Sequence, residues 1–169
     1  MNDVFEPERI PPTVRVDILS DVVCPWCIVG FLQLEQALAR MGTAALVTWH
    51  PFELNPEMPP EGQNLREHLI AKYGITAEQS ARARDDLTRI GAGLGFTFDF
   101  TDDMAMVNTF AAHRLLDWAE TQDRQHPLQM VLFAAHFSQR RDLSDIAVLT
   151  DIAASVGLDP GAARAVLES

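Results

Sequence analysis

Long hydrophobic runs are missing from this 169-residue sequence: no stretch reaches the roughly 20 apolar residues that a membrane-spanning helix needs. The opening residues 1–13 carry acids and prolines where a secretory signal peptide carries basic and then apolar residues. We therefore expect a cytoplasmic protein that does not engage a membrane.

Positive charge is also scarce. The chain has 13 Lys and Arg residues against 24 Asp and Glu residues, a formal net charge of −11. Proteins that bind nucleic acids concentrate Lys and Arg where they face the phosphates. This charge balance therefore argues against a nucleic-acid partner.

Only two cysteines occur, Cys24 and Cys27, and they lie three residues apart. Structural disulfides occur mainly in secreted, cysteine-rich domains, so we expect no structural disulfide between these two residues in a reducing compartment. Three interpretations remain: redox chemistry, half of a metal site, or two ordinary buried thiols.

The sequence around the two cysteines predicts a β-α-β unit. Residues 14–19 alternate and end in an apolar stretch, which is typical of a strand. From Cys27 onward, apolar residues recur every three or four positions until Gly42, a common helix stop. A second strand is predicted over residues 45–50, and strands joined by a crossover helix should lie parallel.

The remainder of the chain predicts a helical lobe. Four prolines between residues 51 and 60 indicate an irregular linker. Helices follow, one of them opening with a Thr76–Gln79 capping box, and the alternating residues 96–100 favour a short extended piece. We predict an α/β fold with a polar arm (1–13), a β-α-β part (14–60) and an all-helical domain (61–169).

The motif Cys24-Pro25-Trp26-Cys27 lies between the end of the first predicted strand and the start of the predicted helix. Unpaired backbone N–H groups at a helix N-terminus favour a thiolate, here predicted at Cys24. Cys27, one helical turn later, can reach the same sulfur and resolve a mixed disulfide. This pattern favours redox chemistry.

A zinc site is the main competing use of this spacing. Zinc ribbons normally bring a second pair of cysteines, which this chain lacks, so the site would have to recruit histidines such as His50, His113 or His136. No metal is therefore expected.

Three sequence patches resemble the DsbA-like thiol oxidoreductases, and within them the FrnE-type branch. They are residues 20–27 (SDVVCPWC), 49–56 (WHPFELNP) and 108–115 (NTFAAHRL), in the order found in that family. The resemblance implies a thioredoxin fold with an inserted helical domain. It also implies disulfide formation, reduction or isomerisation in proteins or small thiols.

Members of that family resume after the helical lobe with further strands and a loop carrying a cis-proline. No such segment is recognisable before Ser169. The sequence therefore predicts a sheet of only two parallel strands with exposed edges and an exposed apolar face. We expect either weak activity of the isolated chain or completion of the sheet by another subunit. A homo-oligomer is one form that such completion could take.

Four further residues are candidates for contact with substrate: Pro25 and Trp26 within the motif, Asn55 after the second strand, and His113 in the helical lobe. Each also has a simpler structural explanation, namely packing or turn formation. No cofactor is expected, apart from glutathione as a co-substrate.

Two other functions compete with a dithiol enzyme. One is a glutathione-dependent isomerase or transferase resembling the hydroxychromene-carboxylate isomerases and kappa-class transferases. Those enzymes need one activating Ser or Cys and no resolving partner, so Cys27 favours the dithiol reading. The other is a non-catalytic module that binds partners through an apolar sheet edge.

Overall fold

The computed structural model describes residues 12–169. Most of the predicted polar arm, residues 1–11, lies outside the described residues. The described elements are, in chain order, β1 (Thr13–Ser20), α1 (Pro25–Met41), β2 (Ala44–Pro51), β3 (Gln63–Asn64), α2 (Leu65–Tyr73), α3 (Ala77–Gly93), β4 (Ala105–Met106), α4 (Phe110–Glu120), α5 (Gln125–Phe137), α6 (Ile146–Ser155) and α7 (Pro160–Glu168).

Strands β1 and β2 form a two-stranded parallel sheet joined by α1, which confirms the predicted β-α-β unit. The register pairs Val16 with Val47 and Ile18 with Trp49. Helix α1 ends at Gly42, whose φ of 59° is a left-handed conformation that glycine adopts without strain.

One face of this sheet packs into the protein and the other does not. Trp49 of β2 is buried, with its ring 5.0 Å from that of Phe31 in α1 and 6.0 Å from that of Phe133 in α5. Leu19 and Leu46 alternate to the other face and are 67% and 62% exposed. This face also carries Asp17 and His50, whose side chains are hydrogen-bonded over 2.9 Å, so the exposed face predicted from the sequence is apolar only in part.

A glutamine side chain from the helical lobe covers the outer edge of β2. Trp49 N–H donates to Gln125 Oε1 over 3.0 Å, and Gln125 Nε2 donates to the Trp49 carbonyl over 2.9 Å. Gln125 thus pairs with Trp49 as a neighbouring strand would. Because Gln125 is the first residue of α5, this amide joins the lobe to the sheet.

In the helical lobe, the observed helices agree with the sequence prediction, whereas the segments that connect them differ from it. Helix α3 opens with the Thr76–Gln79 capping box as predicted and ends at Gly93. The lobe also has a two-residue antiparallel pairing, β3 with β4, so it is not all-helical. Residues 96–100 form no strand. Their three phenylalanines instead pack on one another and on Phe137.

The α/β class, with a β-α-β unit followed by a helical lobe, is therefore confirmed. The boundary between residues 60 and 61 stays a prediction. No helix within residues 12–169 is long and apolar enough to cross a membrane.

Candidate active site

The two cysteines lie at the N-terminus of α1. Cys24 is the N-cap residue, in an extended conformation, and Pro25 is the first helical residue. No side chain caps this end of the helix. Two hydrogen bonds fix the backbone between β1 and α1. Cys24 N–H donates to the Asp21 carbonyl over 3.0 Å, and Cys27 N–H donates to the Cys24 carbonyl over 3.1 Å. The first strand, the turn and the helix thus place both thiols together at the helix's positive end.

Both cysteines are free and partly exposed, and each affects the ionisation of the other. The neighbouring Cys24 thiol lowers the pKa of Cys27 to about 6, against the opposing effect of burial, with further help from the Ser20 hydroxyl. The pKa of Cys24 is raised, first because its S–H donates to Cys27 and then because it is partly buried. The two thiols thus titrate as one pair that shares a proton, and the thiolate at Cys24 stays a prediction.

A buried carboxylate, Asp21, lies directly behind the pair. Asp21 is 1% exposed, and its Oδ2 accepts a hydrogen bond of 2.7 Å from the backbone N–H of Leu54, while its Oδ1 lies 3.4 Å from the N–H of Val23. These contacts tie the loop after β2 to the turn that precedes Cys24. The Asp21 charge acts on Cys27 in the direction that raises its pKa.

His113 of α4 reaches this carboxylate from the helical lobe. Its Nε2 lies 3.4 Å from Asp21 Oδ1, and its side chain is 6% exposed. The structure thus places His113 beside Asp21, behind the thiols, and a direct contact with substrate stays a prediction.

The other candidate substrate residues lie in different settings. Trp26 is 60% exposed, beside the thiols, as a substrate contact requires. Asn55 instead uses its side-chain oxygen to accept hydrogen bonds from Lys72 Nζ over 2.6 Å and from His68 Nε2 over 3.0 Å. Asn55 therefore fastens the loop after β2 to α2, and its role in substrate binding stays a prediction, as does that of Pro25.

Sequence reasoning gave no role to three polar residues near the thiols. They are Ser20, Asp21 and Gln129, all at least 97% buried. Ser20 and Asp21 carried one signal, because two polar residues directly follow an apolar strand and precede the cysteine motif. Gln129 carried none, since a glutamine in a helix is usually solvated.

No group of three His, Cys, Asp or Glu side chains that could hold a metal ion occurs within residues 12–169.

The sequence profile of the DSBA-like thioredoxin domain matches residues 15–169. This chain belongs to the DSBA-like thioredoxin domain family. The β-α-β unit and the helices that follow it are thus the DSBA-like fold.

Relatives of this DSBA-like protein include the uncharacterized protein YwbO of Bacillus subtilis (strain 168), which is 28% identical over 93% of this chain and 73% of its own length. A probable DsbA oxidoreductase from Streptomyces coelicolor is 35% identical, with a TM-score of 0.84 over 92% of this chain and 68% of that one. A 2-hydroxychromene-2-carboxylate isomerase is 16% identical, with a TM-score of 0.62 over 91% of this chain and 71% of that one. This last likeness shows the fold alone.

Proposed function

We propose that this DSBA-like protein is a thiol-disulfide oxidoreductase in which Cys24 exchanges with substrate and Cys27 resolves the mixed disulfide. The observation that carries the proposal is the placement of two free thiols, one helical turn apart, at an uncapped helix N-terminus. A shared proton leaves one thiolate available near neutral pH, and only a thiolate attacks a disulfide.

The exchange starts from the state in which Cys27 holds the shared proton and Cys24 is the thiolate. The Cys24 thiolate then attacks a substrate disulfide, forms a mixed disulfide and releases the first substrate sulfur as a thiolate. Cys27 next loses its proton and attacks Cys24, which forms the Cys24–Cys27 bond and releases the second substrate sulfur. The substrate disulfide is reduced by two electrons and the protein dithiol is oxidised by two, and the reverse sequence oxidises a substrate dithiol.

The substrates we propose are protein, peptide or small-molecule disulfides and thiols, with glutathione as a co-substrate at most. Exposed aromatic rings often anchor partners. Trp26, which is exposed between the two sulfurs, is the residue best placed to do so. Membership of the FrnE-type branch and a cytoplasmic location belong to the same proposal.

A glutathione-dependent isomerase needs no resolving cysteine, whereas here Cys27 shares a proton with Cys24. The dithiol function is therefore the one that the site favours.

Substitution of the resolving cysteine tests the proposal. Cys27→Ser should accumulate a mixed disulfide on Cys24 with oxidised glutathione or a small peptide disulfide, seen by mass spectrometry without reductant. Cys24→Ser is the matched control and should trap far less, because its remaining thiol is the resolving one. If Cys27→Ser traps nothing with any disulfide, the proposal fails.

A further inference from the structure

A lysine of the helical lobe, Lys72 of α2, holds the loop that follows β2. Its Nζ donates to the Leu54 carbonyl over 2.9 Å and to Asn55 Oδ1 over 2.6 Å. His68, one turn earlier in α2, contacts the same Asn55 oxygen through its Nε2 over 3.0 Å. An ammonium has three N–H donors on one compact group, and here it bonds to two successive residues at once. Lys72 thus fixes the loop at Leu54 and Asn55.

Leu54 connects this attachment to the thiol site. Its N–H donates to Oδ2 of the buried Asp21 over 2.7 Å, while its carbonyl accepts from Lys72. This N–H is the shortest of the carboxylate's contacts, since Val23 N–H and His113 Nε2 each lie 3.4 Å from Oδ1. Through one intervening residue, Lys72 therefore determines where the closest donor to Asp21 lies.

Asp21 is in turn bound to the first cysteine. Its backbone carbonyl accepts from Cys24 N–H over 3.0 Å, in the turn that leads into α1. Its charge also acts to raise the pKa of Cys27, as a like charge does beside a thiolate. A change in how Asp21 is held thus alters both the backbone that carries Cys24 and the charge that a thiolate faces.

We propose that Lys72 is a positioning residue that, by fixing the Leu54 N–H on Asp21, sets the equilibrium between the dithiol and disulfide states of the two cysteines. The inference rests on the proposed dithiol function and adds to it a residue from the helical lobe. Lys72 takes no part in the exchange itself and acts only through the loop after β2.

Loss of the Lys72 ammonium should favour the reduced protein. A backbone N–H stabilises the charged form of a carboxylate that accepts it. Without Lys72, the loop is released and the Leu54 N–H is no longer held on Asp21, so the negative charge behind the thiols weakens. A weaker negative charge repels a thiolate less, and a more stable thiolate stabilises the dithiol relative to the disulfide.

Equilibration with glutathione measures this effect. The reaction converts one protein dithiol and one oxidised glutathione into the protein disulfide and two reduced glutathiones. In Lys72→Met, we expect the equilibrium constant of this oxidation to fall by about threefold to tenfold, the lower part of the range for residues coupled in one hydrogen-bond network. Acid quenching, alkylation and mass spectrometry give the two fractions. The urea unfolding midpoint should change little, because exposed charged side chains contribute little to stability.

Arg66→Met is the matched control. It removes one positive charge from the same helix, but the Arg66 guanidinium lies 3.7 Å from Asp102 and belongs to a different contact. It should leave the glutathione equilibrium unchanged. The comparison separates the specific attachment made by Lys72 from a general change of charge on α2.

A double-mutant cycle tests the route through Asp21. Asp21→Asn removes the carboxylate charge, so adding Lys72→Met to it should shift the equilibrium no further. A full additional shift in that background would show that Lys72 acts by another route, and the inference would be wrong.

Two results with the single variants would overturn the inference alone: a glutathione equilibrium in Lys72→Met equal to that of the wild type, or the same shift in Arg66→Met. Failure of the wild-type protein to form the Cys24–Cys27 disulfide in oxidised glutathione would instead overturn the dithiol function.

Discussion

The two thiols at the start of α1 titrate as one coupled pair. The sequence placed the thiolate at Cys24, because the helix N-terminus favours negative charge there. The interaction of the two thiols raises the pKa of Cys24 and lowers that of Cys27. The two sulfurs thus share one proton, and we expect Cys24 to act as the nucleophile when that proton lies on Cys27.

Removal of the donor should reverse the ionisation of Cys27. In Cys24→Ala, we expect the pKa of Cys27 to rise from about 6 toward the ordinary thiol value of 9.0, because burial remains while the main lowering contact is lost. Alkylation of Cys27 by iodoacetamide near neutral pH should slow by roughly tenfold or more, since each pKa unit is a tenfold change in ionisation. Cys24→Ser retains a hydroxyl donor and should fall between the two. An unchanged alkylation profile in Cys24→Ala would show that the hydrogen bond is not the cause.

Burial of His136 should make stability depend on pH. Burial lowers its pKa from 6.5 to about 4, and the charges of Asp21 and Asp142 oppose this only in part. The unfolded chain therefore binds a proton that the folded chain refuses as pH falls from 6.5 to about 4, and stability should decline over that window by up to about 3 kcal/mol. Urea unfolding across this range should show a smaller decline for His136→Leu than for the wild type. Parallel curves would contradict the assignment.

At the end of helix α3, contact with residues 96–100 determines whether a side chain fits at a glycine position. A Cβ added at Gly91 would lie 2.5 Å from the Phe98 ring and 2.8 Å from the Phe96 carbonyl oxygen. A Cβ added at Gly93, two residues later in the same helix, meets nothing within 4 Å. Close packing of the phenylalanine segment thus explains why glycine stands inside the helix at position 91.

These two positions form a matched pair of variants. We expect Gly91→Ala to destabilise the protein by about 1–3 kcal/mol through overpacking. Gly93→Ala should be neutral or stabilising by up to about 1 kcal/mol, since alanine favours the helical state. Urea unfolding midpoints measure both. Equal effects at the two positions would show that the phenylalanine segment moves aside freely.

The sheet and the helical lobe share the packing of Trp49 on Phe133 and, beside it, a few polar contacts between residues far apart in sequence. Gln125 pairs with the Trp49 backbone, His126 Nδ1 accepts from Trp49 Nε1 over 3.1 Å, and His113 faces Asp21. A sheet of two strands is marginal by itself. We therefore expect the β-α-β part and the lobe to unfold together, whatever boundary their sequences indicate.

Gln125→Met should test this coupling. It leaves the Trp49 N–H and carbonyl unpaired at a buried edge, which should destabilise the protein by about 1–3 kcal/mol. Tryptophan fluorescence and far-ultraviolet circular dichroism should still give one coincident urea transition, at a lower midpoint. Gln33→Met on the exposed face of α1 is the control and should change little. Two separate transitions in the wild-type protein would contradict cooperative unfolding.

Much of the architecture was determined by sequence alone, because its signals are local. Alternation over residues 14–19, the Thr76–Gln79 capping box and the Gly42 stop each depend on neighbours a few residues away, and each agrees with the structure. The redox motif is likewise local, since one helical turn brings Cys24 and Cys27 together.

Tertiary structure decided everything that depends on residues distant in the chain. The β3–β4 pairing has only two residues per strand, too few for a pattern, and the phenylalanines of residues 96–100 alternate like a strand but pack as a cluster. The burial of Asp21 against His113, and that of Ser20 and Gln129, likewise arises only on folding. Hydrogen bonding and burial set these properties, and both depend on which distant side chains become neighbours.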